Sequence, residues 1–363
     1  MFGSFKHKAL MLFLLWGLIW GLMGDGWGLR PAEAAPFAVQ PSGFPSVSPS
    51  SAPSPAGSSS PAPAASPSPE GSGEDASLWP PKVIDRITVP DAYPNFSFSD
   101  DDDLLEVWFP GVRDQDCTIF LYQDEVWMVD CGDERARVEI VPLLKYLGIE
   151  KIDRLFNTHP HHDHLNGLSW IHSEVPVEEL LICFPEDSTE HMTAAMEYCK
   201  GNGIPITSFE DESVFGMGDG LVSFLTWLKV PEEETINNRS AQFMVTYGQC
   251  RMLIMADIEL RGQRMLYEAM DPASFAADIL RYPHHGKLHM VDDLFSAIHP
   301  ALAIISNPPR IVEIRDATYF LDKKHVPIAF TRRTPWLLHL VTDGTHWLCE
   351  EIAPDLSPWT PPE

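Results

Sequence analysis

The chain of 363 residues is long enough for two average domains, or for one large α/β domain with accessory segments. It carries 25 Lys plus Arg against 52 Asp plus Glu, a formal charge of −27. That sign disfavours long nucleic acid as a partner, because polyanion binding needs phosphate-neutralising cations; a short phosphate ester held by metal stays open.

Lys6 and Lys8 precede an apolar run from Ala9 to about Gly24, followed by Ala32-Glu33-Ala34 just before Ala35. Basic, apolar and small-residue regions in this order are the layout of a secretory signal peptide, expected over residues 1–34 and implying a secreted, extracellular protein. An uncleaved membrane anchor is the competing reading, since the run is near the lower length limit for spanning a bilayer. No Cys follows the run, which argues against lipoprotein processing.

Residues 35–80 are dominated by Pro, Ser and Ala. Such a stretch cannot bury enough apolar surface to offset its ordering entropy, so a disordered linker is expected. Extended at about 3.1 Å per residue, it would reach on the order of 100 Å, enough for a membrane or cell-wall tether. The folded domain is expected over residues 81–352, with a Pro-rich tail over 353–363. Setting aside the three basic and five acidic residues of the first eighty leaves 22 Lys plus Arg against 47 Asp plus Glu. The acidic run Asp100 to Asp103 reads as a solvated loop, because consecutive acids do not share a face.

Strands are expected at Cys117 to Tyr122 and Glu125 to Val129, joined by a Gln123-Asp124 turn. Arg135 to Leu147 reads as a helix with positions 138, 141, 144 and 147 on its apolar face, ended by Gly148 and bent or shifted by Pro142. Lys151 to Phe156 is the next strand, with a helix from Leu165. A strand at Glu179 to Cys183, a helix from Thr189 to Lys200 closed by Gly201, and strands at Leu221 to Val230, Gln242 to Tyr247 and Arg251 to Met255 follow. Further strands are expected at Ile279 to Tyr282, Ala301 to Ser306, Pro327 to Thr331 and Leu337 to Val341, the last closed by an Asp343-Gly344 turn. The six cysteines form no CxxC and several sit in apolar runs, so mostly reduced core residues are expected although export would permit disulfides.

The chemistry concentrates in Asn157-Thr158-His159-Pro160-His161-His162-Asp163-His164-Leu165-Asn166-Gly167. His159 and His161 are two apart, so in extended backbone both project to one side and can share a cation. Asp163 and His164 follow in the turn into a helix and can serve a second cation. Mixed imidazole and carboxylate ligation suits Zn²⁺ and tolerates Mn²⁺ or Fe. The strands ending near His159, Asp257 and His285 each deliver such a residue to a strand's carboxyl end, where open α/β sheets place ligands.

Asp130, the His159 to His164 cluster, Asp257 and His285, in that order, resemble the metallo-β-lactamase superfamily. Within it the chain is similar to the soluble hydrolase domain of competence-type DNA-uptake channel proteins and their free-standing secreted relatives. The motifs are Val129-Asp130-Cys131-Gly132, Asn237-Asn238-Arg239-Ser240, Asp257-Ile258-Glu259 and Pro283-His284-His285-Gly286.

The resemblance implies a four-layer αββα sandwich with metals at one edge of the inner sheets. It implies His159 and His161 on a first metal, Asp163, His164 and His285 on a second, and Asp257 bridging; His284 is the fallback for His285. Asp130 would orient a ligand imidazole. Asp163 and Asp257 are the candidate catalytic proton acceptors. Two adjacent ions would lower the pKa of a bridging water and supply a metal-bound hydroxide.

The sequence departs from the family's pattern at three places. The first metal's usual third His has no counterpart before Asp257: His172 follows too closely, and His191 falls on an expected helix. Asn237, Asn238 and Ser240 occupy that part of the chain and read equally well as a loop signal. Met255-Ala256 replaces a usual Thr-Gly, and Lys287 a common Ser. A mononuclear centre is therefore an alternative to a dinuclear one. Three functions follow: a hydrolase of phosphate esters or phosphodiesters, a hydrolase of carboxylic ester, lactone or β-lactam bonds, and a noncatalytic metal-binding envelope module.

Overall fold

Strands apolar on both faces cannot lie at a protein surface, and this chain has many: Thr118–Tyr122, Leu302–Ile305 and Leu337–Thr342 are buried almost throughout. In the computed structural model they assemble into two sheets facing each other. The structure describes residues 83–84, 87–88, 97–99, 103–332, 336–354 and 356, all within the second of two chain units, Ala76–Glu363. The expected signal segment, the linker, Asp100 to Asp102 and most of the tail lie outside the described residues.

The first half of the chain contributes β1 (Val83–Ile84), β2 (Ile87–Thr88), β3 (Leu105–Phe109), β4 (Thr118–Tyr122), β5 (Glu125–Val129), helix α1 (Arg137–Tyr146) and β6 (Arg154–Phe156). Helices α2 (His162–Leu165) and α3 (Leu168–Glu174), β7 (Leu180–Ile182), α4 (Glu190–Asn202) and β8 (Ile206–Ser208) follow. The second half adds β9 (Val214–Met217), β10 (Val222–Trp227), β11 (Gln242–Tyr247), β12 (Cys250–Ile254), α5 (Leu260–Ala269), β13 (Ile279–Arg281), α6 (Asp292–Ile298) and β14 (Leu302–Ile305). It closes with α7 (Arg315–Lys323), β15 (Ile328–Phe330), β16 (Leu337–Thr342) and β17 (Trp347–Ile352).

One sheet has the order β1-β2-β17-β16-β3-β4-β5-β6-β7-β8, and the other β15-β14-β13-β12-β11-β10-β9. Pairing is parallel from β5 to β8 and from β12 to β15, where helices make the crossovers. Strands β16 and β17 return to the first sheet beside β3, so the chain's end completes the layer that its start began.

Three apolar layers hold the stack together. Between the sheets, Trp127 and Phe156 of one meet Phe224 and Phe243 of the other, with ring centroids 4.9 to 6.0 Å apart. Outside the first sheet, Ile140, Leu144, Ile171 and Met196 of α1, α3 and α4 cover Met128, Leu155 and Leu180. Outside the second, Leu266, Phe295 and Leu321 of α5, α6 and α7 cover Leu253, Leu280 and Ile305. This is the expected four-layer αββα sandwich.

Several local expectations need correction. Helix α1 buries Ile140, Val141, Leu143 and Leu144, whereas Val138 is exposed. Pro142 lies inside it, and a 3-10 turn at Glu134–Ala136 precedes it. The bond that Pro142 cannot donate would go to Val138, a solvent-side residue, so the helix tolerates it. Helix α4 is capped by Thr189, whose hydroxyl accepts from the Met192 N–H, and it ends at left-handed Gly203 rather than Gly201. The helix expected from Leu165 starts earlier, as the single turn α2 that includes Asp163 and His164. Among the described residues none of the six cysteines is in a disulfide, in keeping with apolar surroundings. Among the described residues no helix is long and apolar enough to cross a membrane.

Candidate metal centre

Parallel strands bring their carboxyl ends to one edge, and here β5, β6, β12, β13 and β14 do so in both sheets. Beyond those ends lie Asp130, the His159 to His164 segment, Asp257, His284 with His285, and Ser306 with Asn307. The backbone there is unusual: Asp130, Ala256, His284 and His285 have φ of 58°, 47°, 49° and 54°. Non-glycine residues in the left-handed region are uncommon and cluster where surroundings force them, as at functional sites.

Of the sequence-expected ligand residues, His159, His164 and His285 come together around one atom of a fourth, Asp257 Oδ2, and His161 and Asp163 lie beside them. His164 Nε2 lies 3.4 Å from it, His285 Nε2 3.5 Å and His159 Nε2 3.9 Å. His161 Nδ1 is 3.0 Å from His159 Nε2, and Asp163 Oδ2 is 3.3 Å from His285 Nε2. His284 Nε2 also approaches Asp257 Oδ2, at 3.7 Å.

A carboxylate stands behind two of these imidazoles. Asp130 Oδ2 is 2.7 Å from His164 Nδ1 and accepts a bond from the Thr158 hydroxyl, while its Oδ1 accepts from the Thr158 N–H. Asp116 Oδ1 lies 3.2 Å from His285 Nδ1 and pairs with Arg281 and the Ser306 hydroxyl. The Nε2 atoms of both rings are thereby turned toward Asp257, as in carboxylate-oriented metal-binding histidines.

Asp116 is the residue that sequence reasoning missed. Its signal was topological: β4 runs antiparallel to β5, so the residues before β4 begin at the edge where β5 ends. Its carboxylate is close enough to His164, Asp257 and His285 to be counted among potential ligands. We assign it an orienting role instead, because Oδ1 already serves Arg281, Ser306 and the rear nitrogen of His285.

Charge and burial shape the centre. Burial opposes ionisation of Asp257, yet His285 and His164 outweigh it and hold the carboxyl well below the usual range. Burial likewise works against charge on His164, but Asp257 and Asp130 on either side push its pKa well above the ordinary value. His159, buried and beside His164, is pushed well below. Burial opposes ionisation of Asp163 as well, yet His285 and His164 keep it below the usual range.

Nε2 of His164, Nε2 of His285 and Oδ1 of Asp257 are buried with no hydrogen-bond partner among the described residues. Buried polar atoms without a partner are uncommon among described residues, and two imidazole nitrogens left so within 3.4 and 3.5 Å of the Asp257 carboxylate fit a cation. Two groupings, His159 with His161 and Asp257, and His164 with His285 and Asp257, share the Asp257 carboxylate.

The other residues singled out from sequence are engaged elsewhere. His172 Nδ1 accepts from the Val177 N–H, and His191 faces His162 from α4. Asn238 Oδ1 accepts from the N–H groups of Glu259 and Gly262 and so caps α5, while the Ser240 hydroxyl accepts from the Asp257 N–H. A cleft of about 720 Å³ opens beside His162, with Arg135, Asn166, Trp170, His191 and Tyr198 in its walls.

Comparison with known proteins agrees with the motif order. Residues 110–302 match the family described as Metallo-beta-lactamase superfamily. The chain belongs to the metallo-β-lactamase superfamily. It has the fold of the metal-dependent hydrolases of that superfamily, together with residue groups that could hold a metal ion. Over 168 residues it is 23% identical to ComE operon protein 3 of Bacillus subtilis (strain 168), covering 46% of this chain and 21% of that protein. The chain thus spans about a fifth of that relative's length. Among solved structures, the metallo-beta-lactamase fold protein YhfI from Bacillus subtilis is similar at 14% identity and a TM-score of 0.42, covering 62% of this chain and 96% of that one. CmlA, a diiron beta-hydroxylase from Streptomyces venezuelae, is similar at 13% identity and a TM-score of 0.41, covering 64% of this chain and 53% of that one.

Proposed function

We propose that this metal-dependent hydrolase cleaves phosphate esters or phosphodiesters of small size. The observation that carries the reading is the convergence of His159, His164 and His285 Nε2 atoms within 3.4 to 3.9 Å of Asp257 Oδ2. His159, His161 and Asp257 would hold one divalent ion; Asp163, His164, Asp257 and His285 would hold the other, with Zn²⁺ or Mn²⁺ suited to this donor set. Bound ions would lower the pKa of coordinated water toward neutrality and polarise the oxygen under attack.

The chain's own residues do the rest. Asp163 and Asp257 are the carboxylates of the centre that would accept the proton from water. Asp130 and Asp116 fix the imidazole orientations from behind. Lys287 follows His285 and Gly286, with its ammonium 3.9 Å from Asp114, and offers a charge to an anionic oxygen. Turned from Asp114 to substrate, that cation would favour a phosphate over a neutral lactone. The acidic balance of the chain disfavours long nucleic acid and leaves short phosphodiesters open. The basic, apolar and small-residue order of the N-terminal segment supports export, with the Pro/Ser/Ala stretch as a tether to membrane or cell wall.

A panel of a chromogenic phosphodiester, a lactone and a cephalosporin, run on metal-loaded and chelated protein, tests this. Phosphodiester turnover that vanishes with chelation and in Asp257→Ala is the expected result. Preferential lactone or cephalosporin cleavage would reassign the substrate class. Retained turnover in Asp257→Ala would remove that residue from the centre, and absence of bound metal after reconstitution would leave a noncatalytic module.

A further inference from the structure

The first-metal grouping, His159 with His161 and Asp257, has two imidazoles where the family pattern calls for three. We propose that His284 supplies the third, from the strand-end turn after β13 rather than from the loop before β11. This deepens the metal-centre reading above and rests on it.

Four observations carry the assignment. First, His284 Nε2 lies 3.7 Å from Asp257 Oδ2, the same oxygen that His159 Nε2 approaches at 3.9 Å. Two donors about 2.0 to 2.2 Å from one ion stand at such a separation. His285 is already committed to the other side, with Nε2 3.3 Å from Asp163 Oδ2.

Second, the turn is built to present both rings. His284, His285 and Gly286 have consecutive φ of 49°, 54° and 81°, and the His284 N–H is tied to the Ala256 carbonyl at 2.8 Å. Two successive left-handed histidines are costly unless their side chains are needed where that backbone sends them.

Third, His284 has a carboxylate behind it. Its Nδ1 is buried without a hydrogen-bond partner and lies 3.6 Å from Glu259 Oε1. His164 with Asp130 and His285 with Asp116 show a closer form of this order of rear carboxylate, imidazole and Asp257, hydrogen-bonded at 2.7 and 3.2 Å.

Fourth, the segment that departs from the family pattern acts on this residue. The Asn237 side-chain amide donates to Glu259 Oε1 at 3.1 Å, and Asn238 caps the helix that starts just after Glu259. Asn237 thereby steadies Glu259, which steadies His284. The loop that would have carried a histidine carries support for one instead.

The test is Co²⁺ uptake by apo-protein, followed by visible absorption and elemental analysis, in the full chain. His284→Asn suits the purpose because Asn tolerates the left-handed backbone and is too short to reach the ion. Two ions per wild-type chain, one in His284→Asn, and still one in His161→Ala/His284→Asn are expected, since both substitutions empty the same position. Two ions in His284→Asn, one ion in the wild type, or none in the double variant would overturn the assignment while leaving a metal centre. A wild type that binds no Co²⁺ overturns the metal-centre reading and this one with it.

Chelated His284→Asn is compared with chelated wild type by thermal melting to verify folding. If it does not fold, Glu259→Gln serves instead. It should keep two ions but bind one of them about 10- to 100-fold more weakly, as loss of a ligand's orienting partner does. Unchanged affinity for both ions in Glu259→Gln would refute the assignment.

Discussion

Asp130 and His164 form the tightest contact between a carboxylate and an imidazole in the centre, 2.7 Å from Oδ2 to Nδ1, with both side chains buried. Asp130 can hold that position because its left-handed backbone turns the carboxyl back over Thr158, which donates to it twice. Asp130→Asn leaves the shape but removes the charge that fixes the His164 tautomer. Metal affinity is expected to fall about 10- to 100-fold, read by chelator competition. Wild-type affinity in that variant would show the pair to be dispensable for binding.

The Asp116–Arg281 pair crosses from the start of β4 to the end of β13 and is almost wholly buried. Arg281→Met strands a carboxylate in the interior. Removing one partner of a buried ion pair costs about 3–5 kcal/mol, so urea unfolding of the chelated variant should show a loss of that order. A loss under about 1 kcal/mol would mean that Asp116 takes up a proton or finds water.

Gly167 joins α2 to α3 and packs against the backbone carbonyl of Cys131, where a Cβ would overlap the carbonyl oxygen. Its own N–H donates to the Gly132 carbonyl at 2.8 Å, so the turn cannot simply retreat. Gly167→Ala should cost about 1–3 kcal/mol as an overpacking substitution. It should also weaken metal binding, because the Cys131 N–H is bonded to the His164 carbonyl. Calorimetric melting and metal titration together check both effects.

Away from the centre, His339 on β16 sits between Glu350 on β17 and Glu106 on β3, at 2.8 and 3.1 Å, and stacks on Trp108. Burial works against its charge, but the two carboxylates outweigh it and raise its pKa above the ordinary 6.5. Its contribution to stability is therefore full below about pH 6.5 and lost as pH rises through the folded pKa. Burial works against ionisation of Glu106 too, yet His339 and Trp108 lower its pKa below 4.5, so that contribution is lost as pH falls. The stability advantage of wild type over His339→Gln should be largest between about pH 4.5 and 6.5 and shrink toward pH 9. An advantage that stays level from pH 6 to 9 would count against a charged His339.

Much of this protein could be read from its residues in order. Asp130, His159, His161, Asp163, His164, Asp257 and His285 each follow an apolar run, and a strand's length and direction are enough to put such residues at its end. Element types also followed from local pattern for β4 to β7 and β10 to β16. The face of α1 did not, because Val138 has the right spacing for the core yet lies on the solvent side, where the sheet fails to reach it. Strands β8 and β9 were equally hidden, being short, polar or exposed, and stabilised by pairing at sheet edges.

What the sequence by itself determined is the candidate donor set, since six residues from His159 to His164 fix the donor types and their local spacing. Tertiary structure alone decided which groups stand behind those donors. Asp116 lies far from His285 along the chain, and Glu259, though nearer to His284, is beyond the reach of any local periodicity. Each became a partner only when the strands closed into a sandwich and brought their ends to one edge. Local sequence specifies a strand's ends, but pairing order and direction specify which ends meet, and those are long-range properties of the packed sheets.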